Sequence, residues 1–469
     1  MTERHIMFLD ALAFSSEGKS IEKADWDFEF IVMKTMEKVQ KYDLSWSSDA
    51  IIPTDDAMID RLYQAGKELL LETGIYLITE NRQLLFRETD IDRALELQSP
   101  VLEMGEGTDR CSVHPRGVED SSLPKVWGGN PGAPTPEDLF LPIVKSWMKE
   151  SIIDLATCGS LIDVDGYPVR TRSVTELLAV RRELELLHQG LEEVGRPGMG
   201  MLAGESSVSE IGDLASAAAG GIRSCDSHLV ALFNELMIDN DNLLRAANSI
   251  QHGMKNASLA AVMVGGLGGD APGAAVLEVA SFLAANIIAL ADYHLCHPIH
   301  INYVATSVPG CMWLQSAVCQ AFARNAPSVI FCDIYPKSGA MTLELLLETA
   351  ANAIAITVSG GHLEGVGSAD GGVPNGTGLE VRLMGEVGHA IARQNITRES
   401  ANKMVGELVK QYEHVFTLPG GNPGKRFDEA YNLETIEPFP EWLALYDEAK
   451  AMLKSLGLDL DLDLDLELE

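Results

Sequence analysis

From about residue 150 onward, short apolar runs alternate with longer helical segments, and this alternation constrains the fold more than any other feature. Candidate strands lie near 152–157, 196–201, 228–233, 259–265, 298–304, 328–333 and 353–358. Candidate helices lie near 173–193, 207–220, 241–256, 274–291, 311–325, 340–352 and 378–393. Runs such as SVIFCD (328–333) are apolar on both faces, as parallel strands covered by helices must be. The pattern predicts an α/β protein, either a (β/α)8 TIM barrel or a doubly wound open sheet, with 363–369 as the candidate eighth strand.

The flanking segments differ from this βα region. Residues 1–150 are predicted to form an N-terminal helical and loop extension, in which PKVWGGNPGAPTPEDLF is a loop that ends in a helix start. The barrel core is expected over 151–395, followed by C-terminal helices over 396–457. The last segment, 458–469, alternates leucine with acidic residues, and is interpreted as a frayed acidic tail or a docked edge strand.

Composition limits the partners and the compartment. A net charge of −34 argues against nucleic acid or an anionic membrane surface, because both need a basic footprint. The most apolar stretch, 274–291, contains Glu278 and is predicted to be a buried helix rather than a membrane span. The N-terminus lacks the apolar core of a signal peptide. The 7 cysteines have no secretory spacing, so we expect reduced thiols in the cytoplasm.

In a barrel, functional side chains lie where strands end and βα loops begin. That rule selects the following residues and segments: Leu202, Glu205, Asp226, His228, Leu229, Leu259, His300 to Tyr303, Asp333, Tyr335 and the loop 359–378. A loop as long as 359–378 is usually functional, here close to a large flat ligand. The string GMGMLAG has the wrong glycine spacing for a dinucleotide site, and the chain has no P-loop.

Two of these pairs have more than one interpretation. Asp226 and His228 would share one face of a strand, as a general acid/base couple or as a buried histidine held by its neighbour. Asp333 and Tyr335 would both point into the barrel mouth, where an unpaired carboxylate suits a cationic ligand or proton transfer. Alternatively, Asp333 caps the next helix.

The run DYHLCHP (292–298) supplies His294, Cys296 and His297. A His-x-Cys pair with a distant cysteine (Cys311, Cys319 or Cys332) resembles the ligand pattern of some zinc methyltransferases that activate thiols. We expect this run at the end of a helix entering a strand, on the side of the barrel away from the active site. A structural role is therefore favoured, and no bound metal is predicted.

Several ordered motifs resemble one known family. GRPGMG before a serine-rich helix start, DSH, NEL-ID, HL--PIHI, YP and GLEVRLMGEVGHA follow in the order and spacing of the monomethylamine:corrinoid methyltransferases of methanogens. The resemblance runs from about residue 20 to 455 and includes SDAIIPTDDAM and ETGIY. It implies a (β/α)8 barrel that transfers a methyl group to Co(I) of a separate corrinoid protein. It also implies a homo-oligomer, a hexamer in the relatives.

The resemblance also shows where this chain departs from the family. Relatives carry pyrrolysine, an electrophilic imine that holds the amine, at the position of Leu202. The two acidic neighbours of its ring correspond to Leu229 and Leu259, and a glutamine partner corresponds to Asp333. The family tyrosine is retained as Tyr335, and the remaining matches are Glu205, Asp226, His228 and His300. Because the change is coordinated, we favour a natural paralogue without pyrrolysine; an engineered substitution is the alternative.

The predicted activity is methyl transfer from a quaternary or otherwise N-methylated amine to a corrinoid protein. Cob(I)alamin is a strong nucleophile, and an apolar pocket with a carboxylate suits a quaternary cation that leaves as a neutral amine. In this hypothesis Leu202, Leu229 and Leu259 shape the pocket, with Asp226 and His300 also predicted to contact substrate. The catalytic residues would be Asp333 and Glu205, which hold the cation, and Tyr335 and His228, which orient it or handle protons. The alternatives are a zinc-dependent methyltransferase and a non-catalytic scaffold or regulator that docks the corrinoid protein.

Overall fold

The chain folds into a barrel of parallel strands surrounded by helices. The computed structural model describes residues 2–15, 18–367 and 373–461. One parallel sheet contains seven strands, in spatial order Ser227–Leu232, Lys255–Ala260, Tyr293–Cys296, Ile330–Ile334, His362–Gly365, Val126–Gly128 and Leu155–Ala156. All neighbouring pairs run parallel.

Two single-residue bridges close this sheet. Ala156 pairs with Met201, and Leu202 pairs with Ser227, both in the parallel direction. The backbone N–H of Leu202 donates to the carbonyl of Ala156 at 2.9 Å, and that of Ser227 donates to the carbonyl of Met201 at 2.8 Å. The segment at Met201–Leu202 therefore completes a (β/α)8 barrel. The predicted barrel is confirmed, and the open sheet is excluded.

Each strand or bridge segment is followed by one helix of the outer layer. These helices are Glu137–Met148, Val174–Glu193, Glu210–Ser216, Asn240–Gln251, Ala271–Ile288, Pro309–Asn325, Leu343–Val358 and Gly378–Arg393. Ala271–Ile288 is long and apolar enough to cross a membrane, but every residue in it is buried in the protein. The helix predicted over 274–291 is thus a buried element of the barrel.

Three of the predicted strands are displaced or wrong, and one barrel strand was missed. The predicted strands at 259–265 and 298–304 are displaced toward the C-terminus, because the observed strands are Lys255–Ala260 and Tyr293–Cys296. The run 353–358 belongs to the helix Leu343–Val358, whose faces are nearly all buried, so that its apolar run imitates a strand. The predicted loop around residue 126 contains the barrel strand Val126–Gly128, so the barrel begins before residue 150.

The segments outside the barrel cover its helices and its lower end. In the N-terminal part, helices Glu3–Ser15, Met33–Lys41, Asp56–Thr73 and Glu88–Glu96 pack against Ala271–Ile288. The antiparallel hairpin of Leu102–Met104 with Cys111–Val113 contributes to the cluster of buried side chains inside the barrel. C-terminal helices Arg398–Tyr412 and Pro440–Ser455 pack on Leu343–Val358. Of the predicted acidic tail 458–469, residues 462–469 lie outside the described part of the chain.

Candidate functional site

A cavity of about 480 Å³ lies at the carboxyl ends of the barrel strands, where catalytic groups of such barrels are found. The buried cluster inside the barrel that contains Leu202 is partly aromatic: Trp127 stacks on Tyr293 at 5.3 Å between ring centroids and meets Phe331 edge-on at 5.0 Å. The residues that line the cavity are Pro131, Gly132, Ser160, Leu202, Glu205, Leu229, Leu259, Leu295, His297, Ile299, Val304, Asp333, Tyr335 and Glu364.

One wall of the cavity consists of leucines from successive strands. Leu202, Leu229 and Leu259 were predicted from the sequence, and Leu295 joins them. Leu202 is buried, while Leu229 and Leu259 are partly buried and pack on the same cluster inside the barrel. Leu202 is thus part of the cavity wall, in the segment that closes the barrel.

Two neighbouring strands contribute acidic side chains to the cavity. Asp333 and Glu364 are register partners in the strands Ile330–Ile334 and His362–Gly365, about 4.8 Å apart across the ladder. Both side chains are buried and line the cavity. His297 follows the end of the strand Tyr293–Cys296, and its Nδ1 hydrogen-bonds Oδ2 of Asp333. The ring of Tyr335 lies 5.4 Å from that of His297.

A third acid, Glu205, reaches the cavity from the loop after Leu202. The chain turns at Gly204, whose φ of +87° favours glycine. Glu183 then holds the loop, because its buried carboxyl accepts the backbone N–H groups of Gly204, Glu205 and Ser206 at 2.8, 3.0 and 2.6 Å. Ser160 Oγ donates to the carbonyl of Glu205 at 2.8 Å. This network fixes the backbone and leaves the Glu205 side chain in the cavity.

Two of the three acids have a raised proton affinity. Burial, with the nearby charges of Glu183 and Asp333, raises the pKa of Glu205 to about 8. Burial, with Asp333 and Glu205, raises the pKa of Glu364 well above its ordinary value. The residues that line the cavity include no lysine or arginine. An organic cation is the ligand that would offset these charges.

The predicted roles of His228 and Asp226 in the cavity are wrong. His228 faces the helix layer because it alternates with Leu229; Asp213 is 4.0 Å from its Nε2. Burial and the charge of Arg245 hold the pKa of His228 well below its usual range. Asp226 lies at the start of its strand, where it accepts the N–H of Met201 at 3.0 Å and a contact from Arg223 at 2.8 Å. Both residues support the barrel wall.

His300 also lies outside the residues that line the cavity. It belongs to the short strand Ile299–His300, pairs with Val264, and stacks on Tyr303 at 4.5 Å. Burial lowers its pKa. Its neighbour Ile299 lines the cavity instead.

The run around residue 294 was placed on the wrong side of the barrel. It forms the strand Tyr293–Cys296 and its carboxyl end, so His297 reaches the cavity while His294 and Cys296 face the helices. His294 Nδ1 hydrogen-bonds Ser258 Oγ at 2.7 Å, and its ring stacks on Phe282 at 4.5 Å. Within the described ranges, no three His, Cys, Asp or Glu side chains are placed to hold a metal ion. The geometry therefore gives the zinc alternative no support.

The sequence analysis missed Glu364 and Glu183, and it considered His297 only as a candidate metal ligand on the side of the barrel away from the cavity. Glu364 lies inside the run that was the candidate eighth strand, and alternation along that strand is the signal that could have identified it. The long loop 359–378 consists of the strand His362–Gly365, two described flanks and residues 368–372, which lie outside the described ranges. Its proposed contact with a large flat ligand stays a prediction.

Comparisons with known proteins agree with this geometry. The family model of monomethylamine methyltransferase MtmB matches residues 6–458. Monomethylamine methyltransferase MtmB2 of Methanosarcina acetivorans is 35% identical over 447 residues, which cover 94% of this chain and 96% of that protein. MtmB of Methanosarcina mazei is 35% identical over 448 residues, with the same coverage.

The solved structures extend the agreement to three dimensions. The crystal structure of Methanosarcina barkeri MtmB matches with a TM-score of 0.92 and 33% identity, over 96% of this chain and 98% of that one. A crystal structure of a hydroxylamine complex of MtmB matches with the same values. The resemblance inferred from the motifs is thereby confirmed. The chain is a methyltransferase, and it belongs to the monomethylamine methyltransferase MtmB family.

Proposed function

We propose that this chain transfers a methyl group from a quaternary or otherwise N-methylated amine to Co(I) of a corrinoid carried by a separate protein. One observation carries the proposal: a leucine-walled cavity holds three carboxyl groups and, among the described residues that line it, has no lysine or arginine. Apolar walls suit N-methyl groups, and the acids suit a positive nitrogen.

The size and charge of the cavity favour a larger cation over monomethylamine. The cavity of about 480 Å³ is much larger than monomethylamine, which has two non-hydrogen atoms. A quaternary ammonium also keeps its charge whatever the protonation state of Glu205 and Glu364, because it has no N–H to lose. The alternative donor is monomethylamine itself, after which the relatives are named.

In the proposed reaction the protein orients the donor and stabilises its charge. Leu202, Leu229 and Leu259 pack the methyl groups, while Asp333 and Glu205 face the nitrogen. The methyl carbon passes to the cobalt nucleophile, and the C–N bonding pair stays on the departing nitrogen. The amine leaves neutral, so this step needs no proton donor. Tyr335 and His297 orient the donor, because both line the cavity beside Asp333.

The leucine at residue 202 supports a changed substrate. The motifs place this residue where relatives carry pyrrolysine, and Leu229 and Leu259 stand where relatives carry its acidic partners. The structure brings all three side chains to one wall. A wall changed at three places fits a natural paralogue without pyrrolysine better than a single altered residue.

The remaining features of the proposal concern its surroundings. The partner is a corrinoid protein, and homo-oligomer assembly is expected from the family. All seven cysteines are free, which supports a reducing cytoplasmic location.

Substitution of Asp333 tests the proposal. We expect Asp333→Asn and Asp333→Ala each to weaken binding of the donor and to lower turnover by about tenfold or more, since losing a charged partner costs about 1.5–3 kcal/mol. Rates of cobalt methylation against donor concentration measure both effects. Asp226→Asn is the control, because Asp226 supports the barrel wall outside the cavity. If both Asp333 variants retain the wild-type affinity and turnover, the proposed cation site is wrong.

A further inference from the structure

Glu364 is an acid of the cavity whose carboxyl group lacks hydrogen-bond partners in the described part of the chain. It lies in the strand His362–Gly365, between its register partners Asp333 and Trp127. Its side chain is fully buried and lines the cavity. Neither carboxyl oxygen has a hydrogen-bond partner among the described residues. Burying a carboxylate without a partner carries the large free-energy penalty of a desolvated ion. The group therefore needs either a proton or a nearby cation.

The described protein groups around Glu364 offer it no free cation. The titratable groups around it are Asp333, which His297 already engages, Glu205 from the loop after Leu202, and Tyr293 inside the barrel. Tyr335 also lines the cavity. Trp127 is on the other side and bears no charge. With negative groups and, among the described residues, no positive group beside it, the buried carboxyl of Glu364 favours its protonated, neutral form.

From this geometry we infer that Glu364 determines specificity for charge: it releases its proton to solvent when a cationic methyl donor enters, so that the cavity selects cations over uncharged donors of equal shape. The inference rests on the proposed function and deepens it. An uncharged donor, such as a methyl ether or thioether, leaves Glu364 protonated and gains nothing from it.

The electrostatic effects on the pKa of Glu364 support this inference. Burial, Asp333 and Glu205 all raise the pKa of Glu364. A positive nitrogen nearby acts against all three effects and lowers that pKa. Binding of a cation should thus release protons and strengthen with rising pH, whereas binding of an uncharged analogue should do neither.

Titration calorimetry of the full chain tests this without cobalt. The probes are choline and dimethylbutanol, the uncharged analogue in which carbon replaces the ammonium nitrogen, each in two buffers of different ionisation enthalpy. For the wild type we expect proton release with choline only. For Glu364→Gln we expect smaller release and a fall of about tenfold or more in the preference for choline over dimethylbutanol. A purely structural role of Glu364 would weaken both probes alike.

Two matched variants keep the test decisive. Glu278→Gln changes a buried carboxyl on the helix Ala271–Ile288, outside the cavity lining, and should leave the preference unchanged. Glu364→Asp retains a carboxyl and should retain the preference for choline, even if Glu364→Gln folds poorly. The inference is overturned if Glu364→Gln keeps the wild-type preference, or if Glu364→Asp loses the preference while Glu278→Gln retains it. A wild-type chain that binds dimethylbutanol but not choline would contradict the proposed function as well.

Discussion

At the scale of single residues, the cavity brings together three acidic side chains. Glu205, Asp333 and Glu364 line one cavity, where His297 hydrogen-bonds Asp333 and no lysine or arginine is among the described lining residues. The charge of Asp333 therefore stabilises the protonated forms of Glu205 and Glu364. Such clusters are more typical of ligand sites than of structural cores.

The raised pKa of Glu205 predicts a pH-dependent cost to stability. The folded chain binds this proton up to a pKa of about 8, while the unfolded chain releases it near the ordinary value of 4.5. The stability that Glu205 contributes is therefore full at pH values below about 4.5 and is lost as pH rises toward 8.

We expect Glu205→Gln to gain melting temperature relative to wild type as pH rises from about 5 to 8. Melting curves of both proteins across this range measure the effect. Glu185→Gln, an exposed change on the helix Val174–Glu193, controls for general charge effects and should show no such trend. A difference between Glu205→Gln and wild type that is independent of pH would contradict the assignment.

At the scale of elements, the helix Val174–Glu193 positions the loop that carries Glu205. Glu176 and Glu183 are two turns apart on one buried face; Glu176 accepts the N–H groups of Val208 and Ser209 at 3.0 and 2.8 Å. Glu183 accepts three N–H groups of the preceding residues. Two carboxyl groups on one helix face thus accept backbone N–H groups of the loop, which, within the described chain, have no partners in a strand or helix.

Glu183→Gln should loosen this loop. The amide has one acceptor oxygen and brings an NH₂ group toward backbone donors, so we expect a lower melting temperature and slower methyl transfer. Glu185→Gln, two residues away and exposed, is the matched control. Unchanged activity and melting temperature of Glu183→Gln would show that the loop does not depend on this carboxyl.

The elements also show where sequence periodicity suffices and where it fails. Helices with one polar face, such as Val174–Glu193 and Gly378–Arg393, were predicted within one residue of the observed bounds. Segments buried on all sides have no such pattern. The all-apolar end of Leu343–Val358 was mistaken for a strand, and the three-residue strand Val126–Gly128 was mistaken for a loop.

At the scale of the whole molecule, the fold was predictable and the assembly of the site only partly so. The βα rhythm led to the barrel, and the rule for strand ends selected Leu202, Glu205 and Asp333. The neighbour relation of Asp333 and Glu364 depends on strand register, which a local pattern does not encode. The misplaced strand near 294 likewise assigned His297 to the wrong end of the barrel.

Cobalt methylation by the whole enzyme tests the central claim most directly. The purified chain would be mixed anaerobically with a Co(I) corrinoid, free and protein-bound, and with donors from monomethylamine to betaines, other quaternary amines, methyl ethers and thioethers. Loss of Co(I) absorption and growth of methyl-Co(III) are the readout. We predict methylation by a quaternary or other N-methylated amine but not by monomethylamine. Methylation by monomethylamine alone would contradict the changed substrate; a corrinoid protein that binds but is never methylated would indicate a scaffold.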